Sequence, residues 1–397
     1  MPETAAVTSH VMETYSRFPI TVTKGEGSWL WDDKDNAYLD FTSGIATCNL
    51  GHVPFEVKKA VQEQSEKLWH CSNLYHIPQQ EKAASLLAHG GLNKAFFCNS
   101  GAEANEAAWK LARKYMHDRS QSEKKEIITF SQSFHGRTGG AMSATAQEKV
   151  HYGFAPLMPG FSYLPYNDIH SLNSIDPGST AAVMLELVQG EGGVIPAQEE
   201  WITKLTEFCR ENDILLIVDE IQTGAGRTGT FTASEQYGIE PDILTLAKGI
   251  GSGFPVGVML STEKVGSSFS PGTHGSTFGG NPLAMAALCA TVETVNQPKF
   301  LEEVRDKAAF FHSSLEKVLE EENVEIRGRG MLIGIDFNRP AAPLITELRN
   351  NSILALPAGE NVLRVLPPLT VDKKELEKFT TGLSKALEKV KKGAWKK

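Results

Sequence analysis

Between about residue 90 and residue 260 the chain alternates two hydrophobic rhythms. Short, nearly continuous apolar runs (Glu126–Phe130, Ala181–Leu187, Ile214–Val218, Ile243–Leu246 and Val256–Leu260) are separated by segments whose apolar positions recur every three or four residues. One such segment carries Ala104, Ala107, Ala108, Leu111, Ala112 and Tyr115, and another carries Trp201, Leu205 and Phe208. Apolar runs of this length bounded by turn residues read as strands buried on both faces, and the period-3.6 segments as helices covering them. The pattern predicts an α/β domain with a mostly parallel sheet. Ligands in such sheets bind beyond the carboxyl ends of the strands. That edge singles out Ser100, Phe134, His135, Glu186, Asp219 and Lys248.

The flanks read differently. The first 55 residues hold three strand-like pieces, Ile20–Thr23, Ser28–Trp31 and Ala37–Phe41, separated by Gly, Asp and Asn clusters that mark turns. A helix is predicted over Phe55–Ser65. Beyond residue 290 come a long amphipathic helix (Phe300–Glu322), a strand (Met331–Phe337), a short helix near Leu344–Leu348, the apolar piece around Arg364 and a last helix (Lys373–Val390). The expected organisation is a large domain at 56–289 and a smaller α+β domain assembled from 1–55 and 290–397.

Composition narrows the function classes. Acidic residues outnumber basic ones by 48 to 39, which argues against a nucleic-acid footprint. The Lys391-Lys392 and Lys396-Lys397 cluster reads as a solvated helix end. Five cysteines, without a Cys-x-x-Cys pair, fit free thiols and no zinc site. The first ten residues lack a basic and an apolar signal region, no apolar run approaches the ~20 residues of a membrane helix, and the expected address is the cytoplasm.

Two nucleotide-binding readings fail on missing parts. Asp219-Glu220 after an apolar strand resembles a Walker-B end, but the dipeptide Gly-Lys of a P-loop is absent. Gly224-Ala-Gly-Arg-Thr-Gly229 matches the dinucleotide fingerprint, yet five residues separate it from the strand and no apolar helix opens at Gly229. Pyridoxal phosphate fits better. It needs a lysine for its aldehyde, an acid for its ring nitrogen, an anion site and a flat group against the ring. Lys248, Asp219, the Ser100-Gly101-Ala102 turn and Phe134 supply one each, with Asp219 and Lys248 one strand–helix–strand step apart. Taken singly, Ser100 reads better as a plain helix N-cap than as a phosphate site. Arg137 and Arg364 are fork-shaped carboxylate clamps or ordinary ion-pair residues.

The ordered set Asn99-Ser-Gly-Ala-Glu-Ala-Asn-Glu-Ala107, Ser133-Phe-His-Gly-Arg-Thr138, Val188-Gln-Gly-Glu-Gly192, Asp219-Glu-Ile-Gln-Thr-Gly224, Ala247-Lys-Gly249 and His274-Gly-Ser-Thr-Phe-Gly-Gly-Asn-Pro282 resembles the class III pyridoxal-phosphate aminotransferases of fold type I. The resemblance covers nearly the whole chain. It implies that Ser100, Gly101 and Ala102 hold the phosphate, that Phe134 stacks on the ring, and that the run Asp219, Glu220, Ile221 and Gln222 contacts the cofactor. Lys248 forms the Schiff base. It further implies a homodimer in which Thr277 reaches the neighbouring subunit's phosphate, with Ser276 beside the substrate, and a substrate group of Tyr15, Arg137, Ser276, Glu191 and Arg364. There Glu191 neutralises Arg364 until 2-oxoglutarate or glutamate enters. Leu187 departs from the proline common in the family. Ile45 stands where ornithine-specific members carry tyrosine, which favours an acylated donor; succinylated donors and 4-aminobutyrate stay open.

Overall fold

The computed structural model describes residues 10–395; the N-terminal segment before His10 and the lysine pair at 396–397 lie outside the described residues. Its centre is a seven-stranded sheet in the order Leu92–Cys98, Gly257–Thr262, Ile243–Leu246, Leu215–Asp219, Thr180–Leu185, Glu126–Phe130, Phe161–Leu164. Gly257–Thr262 runs antiparallel to both neighbours, and the other pairings are parallel. Phe161–Leu164 was not anticipated. It is a half-exposed edge strand of four residues, too short and too weakly apolar to announce itself.

The alternation of side chains along the inner strands divides the core in two. Ala182, Met184 and Ile217 face the helix Gly101–Asp118, packing with its buried Ala107, Ala108, Leu111 and Ala112. Val183, Leu185, Leu216 and Val218 face the other way, against Trp201 and Leu205 of the helix Glu199–Glu211. Both sets are buried, which is why these strands read as continuous apolar runs.

Residues from both ends of the chain share a second unit of structure. The hairpin strands Val22–Glu26, Trp29–Asp32 and Ala37–Asp40 gain a parallel fourth strand, Ile353–Leu354. Glu325–Arg329, Leu332–Asp336, Val362–Val365 and Leu356–Ala358 form an antiparallel sheet beneath the helices Pro298–Leu319 and Lys373–Lys392. Phe41 stacks on Phe379 at 4.9 Å and meets Phe311 edge-on at 5.9 Å. The last helix opens with a capping box of Asp372 and Glu375, and Glu375 also accepts from Trp29 Nε1 at 2.7 Å. At its far end Lys391 pairs with Glu322, so that part of the basic cluster is not simply solvated.

Candidate active site

Asp219 ends its strand opposite Thr245 of the next, and Lys248 begins the short turn Lys248–Gly251 just beyond that neighbour. Adjacent parallel strands therefore bring the two to one edge. Lys248 sits in the left-handed region, φ 45°, unusual for a side chain of its size. The strand Leu92–Cys98 ends at the same edge and passes through Ser100 into the helix Gly101–Asp118. Ser100 Oγ accepts from Glu103 N at 3.2 Å, so the N-cap reading is correct as well. Gly257 allows this approach, since a Cβ there would come within 2.7 Å of the Ser100 carbonyl carbon.

A cavity of about 420 Å³ opens at this edge, with Asp219 and Lys248 in its wall. Ser100, Gly101 and Ala102 line one side, Phe134 and Arg137 another, and Ile221, Gln222 and Glu191 complete it. The Arg137 guanidinium lies 5.6 Å from the centre of the Phe134 ring.

The lining suits pyridoxal phosphate. The first backbone N–H groups of the 18-residue helix have no intrahelical acceptor and form an anion site with the helix dipole. Gly101 carries no side chain because a Cβ would come within 2.7 Å of Ile221 Cδ1, which packs against the start of the helix. Asp219 is held as an acceptor by three donors: Oδ2 lies 2.8 Å from both Asn105 Nδ2 and His135 Nδ1, and Oδ1 accepts from Ile221 N at 3.0 Å. Burial, ahead of every nearby charge, lowers the Lys248 ammonium below its ordinary range, which favours the neutral nucleophilic amine.

A second carboxyl, Glu186, also lines the cavity and accepts from Phe134 N at 2.9 Å and Gly190 N at 3.4 Å. Burial pushes it up to about 7. Glu191 behaves oppositely. Burial would raise its carboxyl, but the Arg364 guanidinium outweighs this and holds it below the usual range.

Several expected residues lie elsewhere. Glu220, expected to contact the cofactor, turns away from the cavity and accepts from Ala233 N and from Ser234 N and Oγ, because neighbours at a strand end point to opposite sides. Arg364 is 3% exposed and stands behind the cavity wall, its Nη1 donating to Gly190 O, Glu191 Oε1 and Gln222 Oε1. Ser276 is tied to Asn99 and Gly279, Thr277 is exposed, and Tyr15 is 75% exposed; none of the three lines the cavity within this chain. Asn105 was missed. It is fully buried in an alanine-rich face and joins His135 O, Asp219 and Thr245. An asparagine inside that face was the available signal.

A model of the family described as Aminotransferase class-III matches residues 11–387. The chain belongs to the class III aminotransferases. As a member it is a pyridoxal-phosphate enzyme of the fold-type I architecture. It is 56% identical over 380 residues to the acetylornithine aminotransferase of Oceanobacillus iheyensis, covering 95% of each chain. It is 50% identical to that of Bacillus subtilis, covering 96% of this chain and 98% of the relative. The N-acetylornithine aminotransferase structure from Stenotrophomonas maltophilia matches with a TM-score of 0.82 at 34% identity, over 94% of this chain and 97% of that one. The ornithine aminotransferase structure from Toxoplasma gondii matches with a TM-score of 0.92 at 32% identity, over 96% and 93%. In this aminotransferase the cavity edge holds both Lys248 and Asp219.

Proposed function

We propose that this aminotransferase moves the δ-amino group of N2-acetyl-L-ornithine to 2-oxoglutarate, giving N-acetylglutamate 5-semialdehyde and glutamate, a step of arginine biosynthesis. The observation that carries the reading is the pairing of Arg364 with Glu191 at 2.6 Å behind a cavity whose other arginine, Arg137, is exposed. Two carboxylate clamps, one masked and one open, suit a cycle that alternates between a donor with a distant carboxylate and a dicarboxylate acceptor. The names of the similar full-length relatives support the acyl group.

Bound pyridoxal phosphate supplies the aldehyde that takes up the amino group and a ring that stabilises negative charge beside the reacting carbon. The Gly101–Ala102 helix start would hold its phosphate, Phe134 its ring face and Asp219 its ring nitrogen. Gln222 would face the ring oxygen. Lys248 Nζ would take the proton from the substrate carbon as general base and deliver it as general acid to the carbon that bore the cofactor's aldehyde. Arg137 anchors the far carboxylate of the donor. Glu191 keeps Arg364 neutralised during this half of the cycle and releases it to the α-carboxylate of 2-oxoglutarate in the other.

The working unit is a homodimer in this reading. Thr277 lies on an exposed loop outside its own cavity, beside Phe278 at 60% exposure, with Trp69, Leu74 and Tyr75 also exposed. Apolar residues gathered in this way favour an interface. The five cysteines are all free, consistent with a cytoplasmic setting.

Mixing the loaded enzyme separately with N-acetylornithine, ornithine, 4-aminobutyrate and glutamate tests the reading through loss of the cofactor's visible band. N-acetylornithine and glutamate are expected to discharge it fastest. Ornithine ahead of its acetylated form would move the assignment to the activity named for the Toxoplasma structure, and no discharge by any amine would sink it.

A further inference from the structure

The glycine after the reacting lysine is dictated by a neighbour outside the cavity. A Cβ at Gly249 would come within 2.6 Å of Asn49 Cγ and overlap the side-chain amide. Asn49 is 1% exposed and cannot move aside. Its Nδ2 donates to Ala225 O at 2.8 Å, its Oδ1 accepts from Arg227 Nη2 at 2.6 Å, and its carbonyl accepts from Leu369 N at 2.8 Å.

The arginine that holds Asn49 is itself exceptional. Arg227 is fully buried, and its hydrogen bonds go to neutral acceptors: the carbonyls of Met331 and Pro367 and the amide of Asn49. Its Nε has no partner among the described residues. Burial without a carboxylate pushes the guanidinium down to about 9. A buried cation without a counter-ion is unfavourable unless its geometry serves something else. Its contacts indicate what. Met331 leads into Leu332–Asp336, which pairs with the strand of Arg364 through Gly334, and Pro367 follows that same strand. One guanidinium thus joins the sheet that carries Arg364 to the amide packed against the Lys248 turn.

We propose that Asn49, fixed by Arg227, is a positioning residue for Lys248: it holds the Lys248–Gly249 backbone, with Lys248 at φ 45°, and sets that turn against the sheet bearing Arg364. The inference rests on Lys248 being the reacting lysine. That premise is checked separately, by borohydride reduction of the loaded wild type and mapping of the modified peptide.

Competitive acetylation of the cofactor-free protein with acetic anhydride across pH, followed by mass spectrometry, reads the Lys248 amine alone and needs no substrate. Asn49→Ala is expected to let the turn relax toward solvent, returning the amine toward its ordinary range. The labelling rate at pH 8 should then fall by at least about threefold, the effect of half a pKa unit. In the loaded enzyme the pH midpoint of the visible band moves as well. Gly249→Ala alone perturbs both readouts, and the Asn49→Ala/Gly249→Ala pair perturbs them less than the two single effects combined, since the overlap is gone. Asn49→Ser, which keeps a short polar group, gives the same readouts if the alanine variant does not fold. A lowered melting temperature with an unchanged Lys248 labelling profile and band midpoint would overturn the proposal, as would full additivity of the pair.

Discussion

Arg364 Nη1 lies 2.6 Å from Glu191 Oε1 and 3.3 Å from Gln222 Oε1, so one guanidinium touches both the carboxylate that masks it and a residue of the cavity wall. Removing one partner of a buried charge pair leaves the other uncompensated and open to a new anion. Glu191→Ala is therefore expected to slow the N-acetylornithine half-reaction relative to the 2-oxoglutarate half-reaction by at least about tenfold, equivalent to about 1.4 kcal/mol. Stopped-flow measurement of each half-reaction checks this. An unchanged ratio would dispose of the switch.

Gly190 makes the same contact testable from the other side. A Cβ at that position would come within 2.5 Å of Gln222 Cδ. Gly190→Ala should displace Gln222 from Arg364 and raise the KM for 2-oxoglutarate several-fold, with a smaller change for the amino donor. Steady-state kinetics with each substrate varied in turn distinguishes this from a general loss of activity.

The Asp219 carboxylate takes three donors, and an amide in its place would set an N–H against one of them. Asp219→Asn is expected to reduce kcat/KM by at least about a hundredfold, the scale of losing a preorganised charge at the reacting centre. Asn105→Ala removes one donor and should reduce it less. Equal losses in the two variants would show that the hydrogen-bond network, and not the charge, is what matters.

His52 links stability to pH. Its Nε2 lies 2.8 Å from Asp40 Oδ2, in a side chain 16% exposed. Burial alone would lower the ring, but hydrogen bonds to Asp40 and Cys48 outweigh it and raise it to about 9. A folded-state value above the ordinary 6.5 means that its contribution is complete below about 6.5 and is lost as the pH climbs through about 9. His52→Gln should remove that part of the decline. Thermal unfolding of both proteins between pH 6 and 10 compares the slopes, and parallel curves would exclude the pair as their source.

Much of the site was readable because chemistry and secondary structure coincide at strand ends. Asp219, Lys248 and Ser100 each follow an apolar run, and position alone nominated them. Glu220 was expected at the cofactor only through the family resemblance, although the alternation of side chains at a strand end turns it the other way. Asn105 escaped because its partners lie 30, 114 and 140 residues away. The helix Pro282–Val295 also went unnoticed: it is buried on most sides, so it lacks the polar face that marks a helix in sequence.

By itself the chain's pattern determined the inner strands of the large sheet, the helices Gly101–Asp118 and Glu199–Glu211 that cover them and the strand-end positions of Ser100, Asp219 and Lys248, because burial on one or two faces imposes a period on neighbouring residues. Only the tertiary structure decided how those edges meet. The antiparallel insertion of Gly257–Thr262, the retreat of Arg364 behind Glu191 and Gln222, and the seating of Asn49 against Gly249 all join residues far apart in the chain. Contacts of that kind follow from packing and strand order, which leave no periodic mark on the sequence around any one residue.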